Sequence, residues 1–360
     1  MILTTNNKTS LGEMLKEWYS VIISYDFEQA AVMKEKIEAA LTDFLDSDKR
    51  LLKFYELLIV RYKIMTENLK KGDLKPINTE EDNSLNFYFH FFSGQTAFQK
   101  KNYSATMRHY NIAETFLTET DSEIEKAEFH FQVGQVFYKL AQYDTALYHI
   151  EKSKEVYEVK PIYKEKVLNC QLLEAAISSE KGNFYKAEDT YNKAIEEAIK
   201  NGFNWTTGLL LRGKSFNWVR TNQLEAARDC MAQAFEFKDF AKSKIGNKAK
   251  IDYANILFRL GENKRKGQKL LDEGWEAVEQ EKDTEYMGKA QVNFNLYVDY
   301  NEKEIFAAVK RLYSAKYNFS VAELSSEVAD VLKERGEYSL AVKYLEYAFR
   351  ASTNIIRGDI

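Results

Sequence analysis

Five segments of this chain place a small, a bulky and a second small residue at matching offsets. They are Thr106, Tyr110 and Ala113; Ala146, Ile150 and Ser153; Ala187, Tyr191 and Ala194; Ala227, Met231 and Ala234; and Ala341, Leu345 and Ala348. Fainter copies centre near Gly267 and Ala307, so the anchors are separated by 40, 41, 40, 40, 40 and 34 positions. Self-similarity at a period of this size marks a stack of supersecondary units, none of which can bury its apolar face alone. The stretch FQVGQVFYKLAQYDTALYHIEKS, from Phe131, shows one unit: a helix over 123–140, a turn at Ala141–Gln142, and a helix over 143–156. Gly134 and Ala146 are small where the two helices are expected to cross, and Phe137, Tyr143 and Ile150 fill the space beside the crossing.

The pattern resembles the tetratricopeptide repeat, whose basic unit is 34 residues. The extra residues of each unit are expected to lengthen its helices. Two prolines and 15 glycines in 360 residues fit an almost entirely helical chain, since strands and their turns use more of both. The expected fold class is all-α: an N-terminal three-helix bundle followed by a tetratricopeptide-repeat superhelix of about six to seven repeats.

Composition excludes several classes of function. With 51 basic and 55 acidic residues, the net charge of −4 supplies no field to attract nucleic acid. No apolar run reaches the ~18 residues of a membrane span, and MILTTNNKTSLGEM lacks the basic-then-apolar pattern of a secretion signal. Cys170 and Cys230 form no CxxC pair and read as buried thiols of a reduced, cytoplasmic chain. His90, His109, His130 and His149 lack metal-ligand spacing and read as packing histidines. There is neither a GxxxxGK[ST] loop nor a GxGxxG turn.

Residues 1–70 lie outside the repeat. Leu11, Met14, Leu15, Trp18 and Ile22 form one face of a first helix. A second is capped by Asp26, and a third, DKRLLKFYELLIVRYKIMTENL, by Ser47 or Asp48. Residues 71–83, with Gly72, Pro76 and polar neighbours, read as a linker, either hinge or long turn, and the repeats occupy 84–360.

This order of bundle, linker and repeats resembles the Rap regulators of Bacillus and its relatives, the response-regulator aspartate phosphatases. The resemblance covers nearly the whole chain and is sharpest in EWY (17–19), LNFYFHFFSGQTAFQKKNYSA (85–105) and DSEIEKAEFHFQVGQVFYKLAQ (121–142). It implies a quorum-sensing protein whose repeat groove binds a short secreted signal peptide after import. The bundle and adjacent repeats would bind a bacterial response regulator, which peptide binding releases. A direct nucleic-acid or membrane partner is not expected. No cofactor is implied for the chain itself; any magnesium would arrive with the response regulator.

The resemblance also implies site residues. The family's phosphatases use a glutamine near the start of the third helix to orient water for in-line attack, and a gap-free match places it at Lys49. Lysine donates hydrogen bonds but accepts none, which favours holding a regulator over hydrolysing its phospho-aspartate. Lys49, Leu52 and Tyr55 are the expected regulator contacts. Neighbouring Asp46 and Asp48 could orient water but would repel a phosphoryl group. Within the repeats, the first helix of each pair is expected to face the groove with Glu128, Gln135 and Tyr138; Leu172 and Glu180; Arg212, Phe216 and Arg220; and Asp252 and Arg259. Glu180 matches an acidic family position that receives a basic peptide residue, and Gly213 stands where the family has a backbone-clamping asparagine. Active phosphatase function, and a plain repeat scaffold that senses no peptide, are the alternatives.

Overall fold

The computed structural model describes residues 2–41, 48–70, 72–74, 82–119 and 122–357, and every regular element among them is helical. Three helices open the chain: α1 (Ile2–Ile23), α2 (Phe27–Leu41) and α3 (Lys49–Met65). Helix pairs follow: α4 (Asn83–Gln99) with α5 (Tyr103–Thr115), α6 (Glu123–Lys139) with α7 (Tyr143–Glu158), α8 (Lys164–Glu180) with α9 (Phe184–Lys200), and α10 (Asn204–Arg220) with α11 (Leu224–Ala234). After the short α12 (Lys238–Ala241) come α13 (Lys244–Leu260) with α14 (Lys264–Gln280), α15 (Thr284–Asn293) with α16 (Glu302–Ser314), and α17 (Asn318–Glu334) with α18 (Tyr338–Arg357). A π-helical segment, Phe294–Val298, continues α15. The helices form two compact units, one of residues 1–137 and 144–170, the other of 138–143 and 171–360.

The bundle closes around Trp18, which is fully buried and donates its indole N–H to the Ala30 carbonyl at 2.8 Å. Its ring stacks on Tyr55 with centroids 5.9 Å apart. Asp48 is the N-cap of α3, accepting from the backbone N–H groups of Arg50 and Leu51 at 3.1 and 3.3 Å. Ser47 and Asp46 lie outside the described residues, as do 71 and 75–81 of the expected linker. The first helix begins at Ile2, well before the apolar face that starts at Leu11.

Close helix crossing explains the small residues. A Cβ on Gly134 would stand 2.7 Å from the Ile150 Cδ1 and 3.2 Å from the Ala146 carbonyl. Gly94 meets Tyr110 in the same way one repeat earlier. The turn between α6 and α7 places Ala141 at φ 56°, and the corresponding turns use Lys101, Gly182 and Asn222 at positive φ. Thr106, Ala146, Ala187, Ala227 and Gly267 are all buried, as are the residues four positions after each.

Two repeat positions depart from the expected register. Ala308 and Val309 are buried in α16, whereas Ala307 is half-buried. In α18 the buried stripe is Ala341, Tyr344, Ala348 and Ala351, while Leu345 is 38% exposed. α18 has no following helix pair among the described residues, so its buried stripe is the one that faces α17.

Candidate functional site

The N-terminus of α3 carries consecutive cations. Lys49 is exposed and makes no ion pair among the described residues. Arg50 is paired: its guanidinium donates to Asp82 and to the Ser84 hydroxyl. Asp82 also caps α4 through the N–H groups of Ser84 and Leu85, which joins the starts of α3 and α4. Burial opposes ionisation of Asp82, but hydrogen bonds from Ser84 and Arg50 hold its carboxyl below the usual range. The first turn of α3 holds no acidic residue, so the charge of Lys49 adds to the positive end of the helix dipole. Leu52 is half-buried. Tyr55 is also half-buried and donates to Glu38 at 2.8 Å, so its hydroxyl already serves the bundle.

Behind α3 lies a buried charge cluster that sequence reading did not anticipate. Arg61 from α3, Glu128 from α6 and Lys166 from α8 have side chains exposed by 1%, 0% and 1%. The Arg61 guanidinium and the Lys166 ammonium, the latter at 2.9 Å, both pair with the Glu128 carboxylate. Tyr157 donates to it at 2.8 Å, and Gln95 accepts from Arg61. Lys166 also rests over the Tyr25 ring at 4.4 Å. Burial opposes charging Glu128, yet Lys166 and Arg61 hold its carboxyl down at about 2. Glu128 is therefore a core ion partner, contrary to its expected place on a groove wall. Two bulky cations reach one carboxylate from different helices, which anchors the bundle helix α3 to α6 and α8. The only signal for this in the sequence is the position of Glu128 inside EIEKAEF.

In the second unit, side chains from the first helices of successive pairs form a connected polar row. Tyr138 lies beside Glu180, and Glu180 pairs with Arg220 at 2.5 Å. Arg220 and Lys289 each approach Glu323 on α17, at 3.8 and 3.9 Å. Lys289 lies over the Tyr286 ring at 5.1 Å. Arg212 completes the row, donating to Asp252 at 2.7 Å and to the Tyr286 hydroxyl at 2.7 Å while its guanidinium sits 4.8 Å from the Phe216 ring centroid. Burial pushes the Glu180 carboxyl up, and Arg220 only partly offsets this.

Eight expected groove residues thus lie in this unit. Tyr138, Glu180, Arg212, Phe216, Arg220 and Asp252 belong to the row, and Leu172 stands beside Gly213. Arg259, half-buried on α13, makes no ion pair among the described residues. Gln135 lies in the first unit, half-buried on α6. Gly213 has a packing reason: a Cβ there would stand 2.9 Å from the Tyr191 ring and hydroxyl and 3.1 Å from Leu172. An asparagine there would need Tyr191 to move. Sequence reading missed Tyr286, Lys289, Glu323 and a second constellation, in which Asn255 donates to Asn293 at 3.0 Å and to Glu327 at 2.6 Å. Tyr297, in the π-helical segment, also donates to Glu327. Insertions of this kind occur often at functional sites.

These features define a helical-repeat protein with an N-terminal bundle pinned to its first repeats. Residues 5–67 match the family described as response regulator aspartate phosphatase H, N terminal, and residues 74–206 match the soluble NSF attachment protein family. The chain belongs to the Rap family. It is similar to response regulator aspartate phosphatase I of Bacillus subtilis, 25% identical over 96% of this chain and 91% of that protein. It is also similar to a protein named type II methyltransferase M.CeqI of Rhodococcus hoagii, 31% identical over 96% of this chain and 68% of that protein. Among solved structures, a Rap protein complexed with competence and sporulation factor superposes with a TM-score of 0.85 at 20% identity, over 97% of this chain and 99% of that one. The Rap conjugation gene regulator of plasmid pLS20, in complex with the Phr* peptide, gives 0.75 at 20% identity, over 97% and 96%. No described helix is long and apolar enough to cross a membrane.

Proposed function

We propose that this chain is an intracellular regulator that holds a response regulator through its bundle and is controlled by a short signal peptide bound along the polar row of the second unit. Residues 1–70 form the regulator-binding domain, 71–83 the linker and 84–360 the peptide-binding domain. Family membership supports this reading, as do relatives named for response-regulator phosphatase activity and structural neighbours bound to signal peptides. The row offers both charge signs and several aromatic faces over successive helices, as an extended peptide with mixed side chains requires. Glu180 receives a cationic peptide residue.

The observation that carries the mode of action is Lys49. Water attack on a phosphoryl group needs a side chain that accepts from water while donating to phosphoryl oxygens, and an ammonium only donates. An exposed lysine at the positive end of α3, with no ion pair among the described residues, attracts the phosphoryl group and leaves water unoriented. The chain therefore sequesters its regulator, with Leu52 and Tyr55 beside the contact. A radiolabelled phospho-aspartate assay with a response regulator tests this. Slow loss of label, accelerated roughly 10²-fold by Lys49→Gln, is expected. Fast loss that Lys49→Ala leaves unchanged would restore the phosphatase reading.

A further inference from the structure

A cavity of about 450 Å³ opens where the end of α4 meets the start of α5, beside the segment that follows α3. Its apolar wall is Leu74, Phe89 and Ala97. The polar groups left to serve a ligand are Ser93, Lys100, Asn102 and His109; the Thr96 hydroxyl already donates to the Phe92 carbonyl. Ser93, on α4, is only 6% exposed, and its hydroxyl has no hydrogen-bond partner among the described residues. Buried hydroxyls are rarely left so, and the cavity that Ser93 lines is where a partner would sit. Lys100, at the end of α4, is exposed and makes no ion pair among the described residues. Asn102 caps α5 with its Oδ1, which accepts from the Ala105 N–H at 3.0 Å, so its amide Nδ2 remains as a donor. His109 turns Nδ1 to His90 at 3.1 Å, which leaves Nε2 for a ligand. Among the described residues no acid lines the cavity. Asp73, beside Leu74, is held by Lys63 at 2.7 Å and by the Lys70 backbone N–H at 2.6 Å.

We propose that this cavity binds a small organic carboxylate with an apolar body. Converging donors without a matching acid suit an anion, because hydrogen bonds to a charged acceptor are the strong ones. Lys100 balances one negative charge, which favours a carboxylate over a phosphate monoester carrying about −1.5 to −2. The carboxylate accepts from Ser93, Asn102 and His109 Nε2 and pairs with Lys100, while the body lies against Leu74, Phe89 and Ala97. The volume is that of an ordinary small-molecule site. Its lining residues belong to the first unit, whereas the polar row belongs to the second. Because Leu74 follows the last helix of the bundle, a bound acid also fastens that segment to the first repeat.

Benzoate is the probe, and benzamide, a neutral analogue of similar shape, is the control. In titrations of the untagged full chain, benzoate is expected to bind with a dissociation constant on the order of 0.1–1 mM, and benzamide at least about tenfold more weakly. The four histidines locate the site by NMR: benzoate should move the ring signals of His109 and His90 and leave those of His130 and His149 in place. Lys100→Ala, at an exposed position, should keep the melting temperature and weaken benzoate about tenfold. Ser93→Ala removes the buried hydroxyl and should weaken it by a similar factor, which gives a second reading from inside the cavity. No binding at about 10 mM benzoate, equal affinity for benzamide, or an affinity that neither substitution lowers would overturn the proposal. So would ring shifts confined to His130 and His149. Tighter binding of phenyl phosphate than of benzoate would overturn the choice of a carboxylate.

Discussion

The Glu128 carboxylate lies 2.9 Å from the Lys166 ammonium, and both side chains are inaccessible to water. With Arg61 on its other oxygen, this one acid pairs with cations from two helices. Glu128→Gln keeps the shape but leaves two buried cations facing a neutral amide, and is expected to cost about 3–5 kcal/mol. Chemical denaturation of the variant measures it. The pH dependence has a definite sign. The folded carboxyl titrates near 2 against 4.5 when unfolded, so its stabilisation is complete above 4.5 and disappears as pH falls towards 2. The Glu128→Gln variant should lose that acid-limb dependence.

The histidines pair within repeats, between the two helices of each. Nδ1 of His90 lies 3.1 Å from Nδ1 of His109, and His130 lies 2.9 Å from His149. Each pair shares a single proton, and the cations nearby are Arg108 and Lys152. Burial lowers all four, His149 to about 4. The neutral pairs stabilise the fold fully above 6.5, and this is lost as pH falls through the range down to about 4. Melting temperature should therefore drop between pH 6.5 and 4, and less steeply in a His130→Phe, His149→Phe double variant. Parallel curves would dismiss the pairs as the cause.

Close crossing at Gly134 leaves little room for even one methyl group. Gly134→Ala is expected to destabilise by about 1–3 kcal/mol, because Ile150 Cδ1 stands 2.7 Å from the new atom. Ala146→Leu, at a fully buried position, should cost at least as much. An unchanged melting temperature for both would mean that α6 and α7 separate freely.

Glu180 is largely buried beside Arg220, and burial raises its carboxyl. A cationic peptide residue adds a second positive partner and expels any proton, so such a peptide should bind more tightly as pH rises through the Glu180 transition. Glu180→Gln should weaken a cationic peptide more than a neutral analogue and flatten its pH dependence. Isothermal titration with both peptides decides; equal weakening would show that the charge is not read.

The sequence by itself determined the helical class, the repeat period and most crossing points. These depend on residues a few positions apart on one helix: Ala146 and Ile150 must share a face at that spacing. It also supplied several residues of the polar row, because repeat register fixes which face of a first helix they occupy. What it left open was decided by distance. Arg61, Glu128 and Lys166 are far apart in the chain, and no local pattern shows that they meet; only packing in three dimensions makes Glu128 a core partner. Arg220 and Glu323 lie 103 positions apart, and their approach follows from the accumulated turn of successive helix pairs. The register of α18 was likewise a tertiary matter. Leu345 satisfies the repeat pattern, but a pattern states only which residues could be buried; whether a neighbouring helix covers them is settled by the assembled fold.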